Sequence, residues 1–180
     1  MAKNVEAKPK PGELIFPDRH IYITKSLFTI IMEIINIKKS DKDQIYKLAI
    51  EENKILQRYS SQAVYKVKFT KDLFEKMFKN NFGKNKAFFG VKEDNKIVAI
   101  LSGYIKPAPK GDVGYIDNMF VSNKYSGKGF ATILRDEFYK WLKGKKIKYC
   151  QLDVLEKNPA KQIYEKWGFS IDGFQMTKKL

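Results

Sequence analysis

The segment from 114 to 142 constrains the fold of this chain more than any other. Gly114-Tyr115-Ile116-Asp117-Asn118-Met119-Phe120-Val121 is rich in β-branched and aromatic residues and predicts a strand. Ala131 to Leu142 carries apolar residues at helical spacing and predicts a helix. Between them runs VSNKYSGKGFATIL (121–134), with glycines at 127 and 129. A helix start offers unpaired amides and the positive end of its dipole, and glycines let an anion reach the backbone. Ordinary strand-to-helix turns also use glycine, so the turn by itself does not name a ligand.

A chain of 180 residues suits one domain with its own core, and 43 % hydrophobic with 31 % charged residues is a globular composition. The single cysteine, Cys150, excludes an internal disulfide framework. The single histidine, His20, leaves little material for a metal site, so none is expected. The net charge of +15 favours anionic partners, but the lysines are scattered and mixed with acids, which reads as a lysine-coated surface with a field that attracts phosphates. No apolar run reaches the roughly 20 residues that span a bilayer, and the Lys- and Pro-rich start lacks an apolar signal core, so a cytoplasmic protein without a membrane partner is expected.

Residues 1–20 carry Pro9, Pro11, Gly12 and Pro17 and predict an irregular arm, with order expected only where Leu14-Ile15-Phe16 docks. One or two strands are expected from Ile21 to Lys38. Ser40 or Asp41 then opens a helix reaching Tyr59, in which Ile45, Leu48, Ala49, Glu52, Ile55 and Leu56 follow at mostly helical spacing. Thr70 caps a second helix, to Lys79, that buries Leu73, Phe74, Met77 and Phe78. Strands at 87–91 and 97–101 flank Glu93-Asp94-Asn95-Lys96, a hairpin turn. After the 114–142 unit come a strand at 149–154, a helix from Pro159 to Trp167 stopped by Gly168, and a closing hairpin from 169–171 and 175–180.

Two linked motifs sharpen the glycine turn. The first is Met119-Phe120-Val121 followed by Ser126-Gly127-Lys128-Gly129-Phe130-Ala131. The second, about thirty residues on, is Leu152-Asp153-Val154, then Asn158, then Tyr164-Glu165-Lys166-Trp167-Gly168-Phe169. Together they resemble the acetyl-CoA-binding core of the GNAT N-acetyltransferases. Two departures stand out: Ser126 occupies the place of the family's Arg or Gln, and the Asn158–Tyr164 gap is one residue short.

The resemblance implies an α/β (α+β) fold: a single N-acetyltransferase domain over 21–180 with a mixed, mostly antiparallel sheet, about four helices and a splayed strand pair that holds acetyl-CoA. It implies that the amides of Gly127, Lys128, Gly129, Phe130, Ala131 and Thr132 cradle the pyrophosphate, with Lys124 and Lys128 supplying charge. The edge Met119, Phe120, Val121 would pair with the pantetheine, helped by Asn158, and an amide of Met119 or Phe120 would polarise the thioester carbonyl. Tyr164 would protonate or hold the departing sulfur. Asp153 or Asp117 would deprotonate the acceptor, a primary amine of a small molecule or of a protein N-terminus or lysine. Many members of the family dimerise, so a homodimer is possible. Two other classes stay open: a non-catalytic acyl-CoA sensor, and a basic nucleic-acid-binding protein, the weaker of the two.

Overall fold

The computed structural model describes residues 13–16, 19–23, 31–59, 68–174, 176 and 178. Seven strands form one sheet in chain order. They are β1 (Glu13–Phe16), β2 (Arg19–Ile23), β3 (Ile31–Asn36), β4 (Lys86–Glu93), β5 (Lys96–Lys106), β6 (Val113–Val121) and β7 (Cys150–Leu152). Neighbours run antiparallel except β6 and β7, which are parallel and joined through α3 (Phe130–Gly144). Helices α1 (Lys42–Tyr59) and α2 (Lys71–Asn80) lie between β3 and β4, and α4 (Ala160–Lys166) follows β7. The mixed, mostly antiparallel sheet with four helices agrees with the expected fold class.

The sheet buries both faces. On one, Phe130, Leu134, Phe138 and Leu142 recur every four residues along α3 and pack on Phe89, Val91, Leu101 and Ile116. On the other, Ile45 and Leu48 of α1 and Phe74 and Phe78 of α2 cover Phe88, Ile97, Ile100 and Phe120. The α2 cap is as expected: Thr70 accepts a hydrogen bond from the Leu73 amide at 3.2 Å. Met77, expected inside, is 51 % exposed, because Phe74 and Phe78 already fill the buried stripe. The β4–β5 turn is carried by Asp94 and Asn95, both at positive φ, as a two-residue hairpin turn requires.

Leu14-Ile15-Phe16, the part of the arm expected to be ordered, lies in β1, paired with β2, since apolar residues of this kind satisfy their backbone most readily by pairing. His20 thus sits in β2 opposite Ile34. Two expectations are corrected. The strand expected over 149–154 is only Cys150–Leu152, for reasons that bear on the site below. Of the closing hairpin, residues 169–174 form no strand, and 175, 177, 179 and 180 lie outside the described residues.

Candidate active site

The two halves of β6 are paired differently. Gly114, Tyr115 and Ile116 lie opposite Cys150, Gln151 and Leu152 of β7, whereas β5 accompanies the strand as far as Val121. Past Ile116 the β7 side of β6 is therefore an open edge. The register with β5 jumps at the same place. Gly103 faces Ile116 and Ser102 faces Asn118, which leaves Asp117 as one extra residue.

Such a bulge inverts the alternation of side chains beyond it. Ile116 packs with α3, and so do Met119 and Val121, three and five residues on, while Phe120 joins the α1–α2 core. Asn118 shares the parity of Phe120 and is thereby aimed at α1, where its Nδ2 donates to Glu52 Oε2 at 3.0 Å. The backbone alternates too. The Ser122 amide donates to Val98 O at 2.9 Å, so Phe120 also turns its amide toward β5, and the amides of Met119 and Val121 face the open edge. Of the two amides considered for the thioester carbonyl, only that of Met119 is on this edge.

The open edge leads into the glycine turn. Gly127 and Gly129 have φ of +78° and +82°, and a Cβ on either would meet nothing within 4 Å. Here glycine answers to backbone conformation, and the face of the turn stays bare. Gly129 is the N-cap of α3 and no side chain caps the helix. The Ile133 amide makes the bond to Gly129 O at 3.1 Å, which leaves the amides of Phe130, Ala131 and Thr132 without a helical acceptor. The first turn carries no acidic residue.

Two of the expected binding side chains are otherwise engaged. Lys128 Nζ lies 3.2 Å from Glu93 Oε1, a carboxylate only 7 % exposed, and 4.8 Å from the Tyr125 ring centre. Lys128 thus offers the turn its backbone, not its ammonium; Lys124 lies over the same ring at 5.7 Å. Asn158 accepts the Ala160 amide on Oδ1 at 3.0 Å and so caps the entry to α4, the site's second wall.

On the other face of the strand, α1 is pinned to β6 and to the segment that follows it by adjacent carboxylates. Glu51 accepts from the Asn123 amide at 2.8 Å and from Ser122 Oγ at 3.2 Å, and Glu52 accepts from Asn118. Glu52 as a residue is partly exposed, yet its carboxyl is enclosed. That loss of water pushes its pKa up to about 7, against the Asn118 hydrogen bond, with the nearby Asp117 charge adding to the rise. Tyr164 of α4 is half-buried, its ring 5.6 Å from Trp167 and 6.1 Å from Phe169. Burial raises its phenol pKa, and the charge of Glu52 raises it further, so near neutrality Tyr164 holds its proton.

The two aspartates differ from this. Asp117 stands exposed on the bulge, with its pKa raised by partial loss of water and lowered by Lys86. Asp153 is exposed just past β7, and the Tyr115 phenol beside it has its pKa raised, by burial first and by the nearby Asp153 carboxylate second. Burial also pushes the Cys150 thiol up to about 12, which removes it as a nucleophile near pH 7. The sequence reading did not name Glu52 among the catalytic candidates, although it recurs at helical spacing with the apolar residues of α1.

The comparisons agree with this geometry. The model of the acetyltransferase (GNAT) family matches residues 43–169. No curated protein matches the chain. Among solved structures, a transcriptional regulator from Bacillus halodurans C-125 superposes with a TM-score of 0.64 at 16 % identity, over 83 % of this chain and 99 % of that one. A ribosomal-protein-alanine N-acetyltransferase from Brucella melitensis biovar Abortus 2308 gives the same four values. A glucosamine-6-phosphate N-acetyltransferase from Arabidopsis thaliana gives 0.59 at 21 %, over 82 % and 97 %. These likenesses speak for the fold, and the family match covers the open strand, the glycine turn and Tyr164 alike. The chain belongs to the GNAT acetyltransferase family and is an acyltransferase.

Proposed function

We propose that the protein moves an acetyl group from acetyl-CoA to a primary amine, of a small molecule or of a protein N-terminus or lysine, by direct attack with both substrates bound. The observation that carries this reading is the open edge of β6 running into the bare amides that start α3. A peptide-like pantetheine arm finds unpaired backbone groups at Met119 and Val121, and a pyrophosphate finds those of Phe130, Ala131 and Thr132. The Met119 amide, at the edge, is placed to donate to the thioester carbonyl as negative charge develops there. Tyr164, protonated, is the donor on the far wall for the departing sulfur. A thiol, with a pKa of about 8.5 against about 10 for a phenol, needs the hydrogen bond more than a full proton transfer.

Calorimetric titration with acetyl-CoA tests the binding half. Wild type should bind with a micromolar dissociation constant. Gly127→Glu puts a side chain at φ +78° and a carboxylate in the cradle, and should weaken binding by at least ~100-fold, with the fold checked by circular dichroism. No binding by wild type at low salt would overturn the reading. Binding without release of free thiol to any amine would make the protein a sensor of acyl-CoA instead.

A further inference from the structure

We propose that Glu52, carried by α1, is the base that takes the proton from the acceptor amine, a role that rests on the acetyltransferase reading above. The geometry assigns it. The bulge at Asp117 exists on the strand half whose outer edge is open, and its effect is to turn Asn118 from the α3 face to the α1 face. There Asn118 Nδ2 holds Glu52 Oε2 at 3.0 Å, one residue from the Met119 amide that faces the thioester's place. Glu52 is also within electrostatic reach of Tyr164, so its carboxyl stands between the two walls that part beyond Ile116. Around that carboxyl are Asn118 and Asp117 from β6 and Tyr164 from α4, while the neighbouring Glu51 is occupied by Ser122 and Asn123.

An ammonium group entering the cleft gives one proton to the Glu52 carboxylate and becomes a neutral amine. Its lone pair forms the C–N bond at the thioester carbonyl carbon, and the C–S bond then breaks with its electrons on sulfur. Tyr164 shares its proton with the sulfur and is reprotonated by the second proton of the nitrogen, leaving an amide, a thiol, a neutral Tyr164 and a protonated Glu52 that releases its proton to water. A carboxyl with a pKa near 7 is matched to this task at neutral pH. Asp117 tunes that carboxyl by its charge, Asp153 stands exposed beyond β7, and Asn118 is a positioning residue.

The experiment is a pH series of thiol release from acetyl-CoA, with spermidine, glucosamine 6-phosphate, an aminoglycoside and an alanyl peptide as acceptors, run on wild type and Glu52→Gln. For whichever amine wild type acetylates, Glu52→Gln should lower kcat by at least ~100-fold at pH 7 with an unchanged calorimetric Kd for acetyl-CoA. The acid limb of kcat/KM, with a midpoint near 7 in wild type, should be lost. The defect should shrink toward pH 10, where water itself deprotonates a primary amine of pKa about 10. Asn118→Ala should move the midpoint of the acid limb while keeping most of kcat at its own optimum, which a merely structural role would not do. Activity of Glu52→Gln within ~3-fold of wild type at pH 7 overturns the assignment, as does a deficit that pH does not relieve. Should wild type bind acetyl-CoA yet acetylate none of the four, the transferase reading itself falls.

Discussion

The two ends of the β6 cleft are built from different materials. At the end proposed to hold phosphate the groups on offer are backbone amides, those of Phe130, Ala131 and Thr132 at the start of α3, on a turn kept bare by two glycines. At the amine end they are side chains: Glu52 from α1, Asn118 from β6 and Tyr164 from α4, which the fold must bring together. The phosphate end needs only a local turn. The amine end needs a sheet with a defect in the right place. The charge follows the same division, with an uncapped positive helix start at one end and carboxylates of Glu52, Asp117 and Asp153 at the other, inside a molecule of net charge +15.

The bulge is the part both ends share, and breaking it should have the largest effect. Gly103 faces Ile116 at the register jump, and a Cβ there would lie 2.6 Å from the Tyr115 carbonyl oxygen and from two ring atoms of Phe138. A backbone oxygen cannot swing aside, so the strand must shift. Gly103→Ala should cost about 3 kcal/mol or more, the top of the usual range for overpacking, as measured by urea denaturation. Acetyl-CoA affinity and transfer should fall together in whatever protein folds. If binding survives and only transfer fails, the phosphate end stands independently of the bulge, and the contrast between the ends is sharper still.

This contrast also decides what the sequence discloses. The glycine turn, the Thr70 cap and the Asp94-Asn95 hairpin are local arrangements, in which residue type dictates backbone within a few positions. The bulge is not of this kind. Asp117 is one residue in a strand whose extra length shows only in the changed parity between Ile116 and Met119. Glu52 lies at helical spacing with the apolar residues of α1, but its partner lies 66 residues away and faces α1 only because of that parity change. The shortness of β7 was equally hidden. The sequence continues in strand-like residues to Val154, and it is the splay of β6 that leaves Asp153 and Val154 without a partner strand on that side.

The enclosed carboxyl should also be legible in stability. Glu52 has its pKa raised from an ordinary 4.5 to about 7. Between those values the folded protein holds a proton that the unfolded chain has released. This contribution is fully present below pH 4.5 and is lost as pH rises through 7, a total of about 3 kcal/mol at most. Glu52→Gln should therefore be more stable than wild type at pH 8 by up to about 3 kcal/mol, while the gap closes toward pH 4.5. Paired urea titrations at the two pH values measure it. Equal stability at pH 8 would mean a hydrated carboxylate, and the amine end would then resemble an ordinary surface.

The smallest effect belongs to Lys128, whose place in the sequence makes it look like the cation of the phosphate turn. Its ammonium lies instead on Glu93, at the end of β4, and over the ring of Tyr125. If the phosphate end is built of backbone alone, Lys128→Ala should weaken acetyl-CoA binding by no more than ~3-fold, less than 1 kcal/mol. Glu93, only 7 % exposed, loses its ion-pair partner in that variant, so the change should register more in thermal stability than in affinity. A loss of affinity beyond ~10-fold, with a steepened salt dependence in wild type, would mean that the ammonium leaves Glu93 for the pyrophosphate. In that case the phosphate end, too, would depend on a side chain whose role is set by a distant partner, and the division between backbone-built and side-chain-built ends would fail at its firmest point.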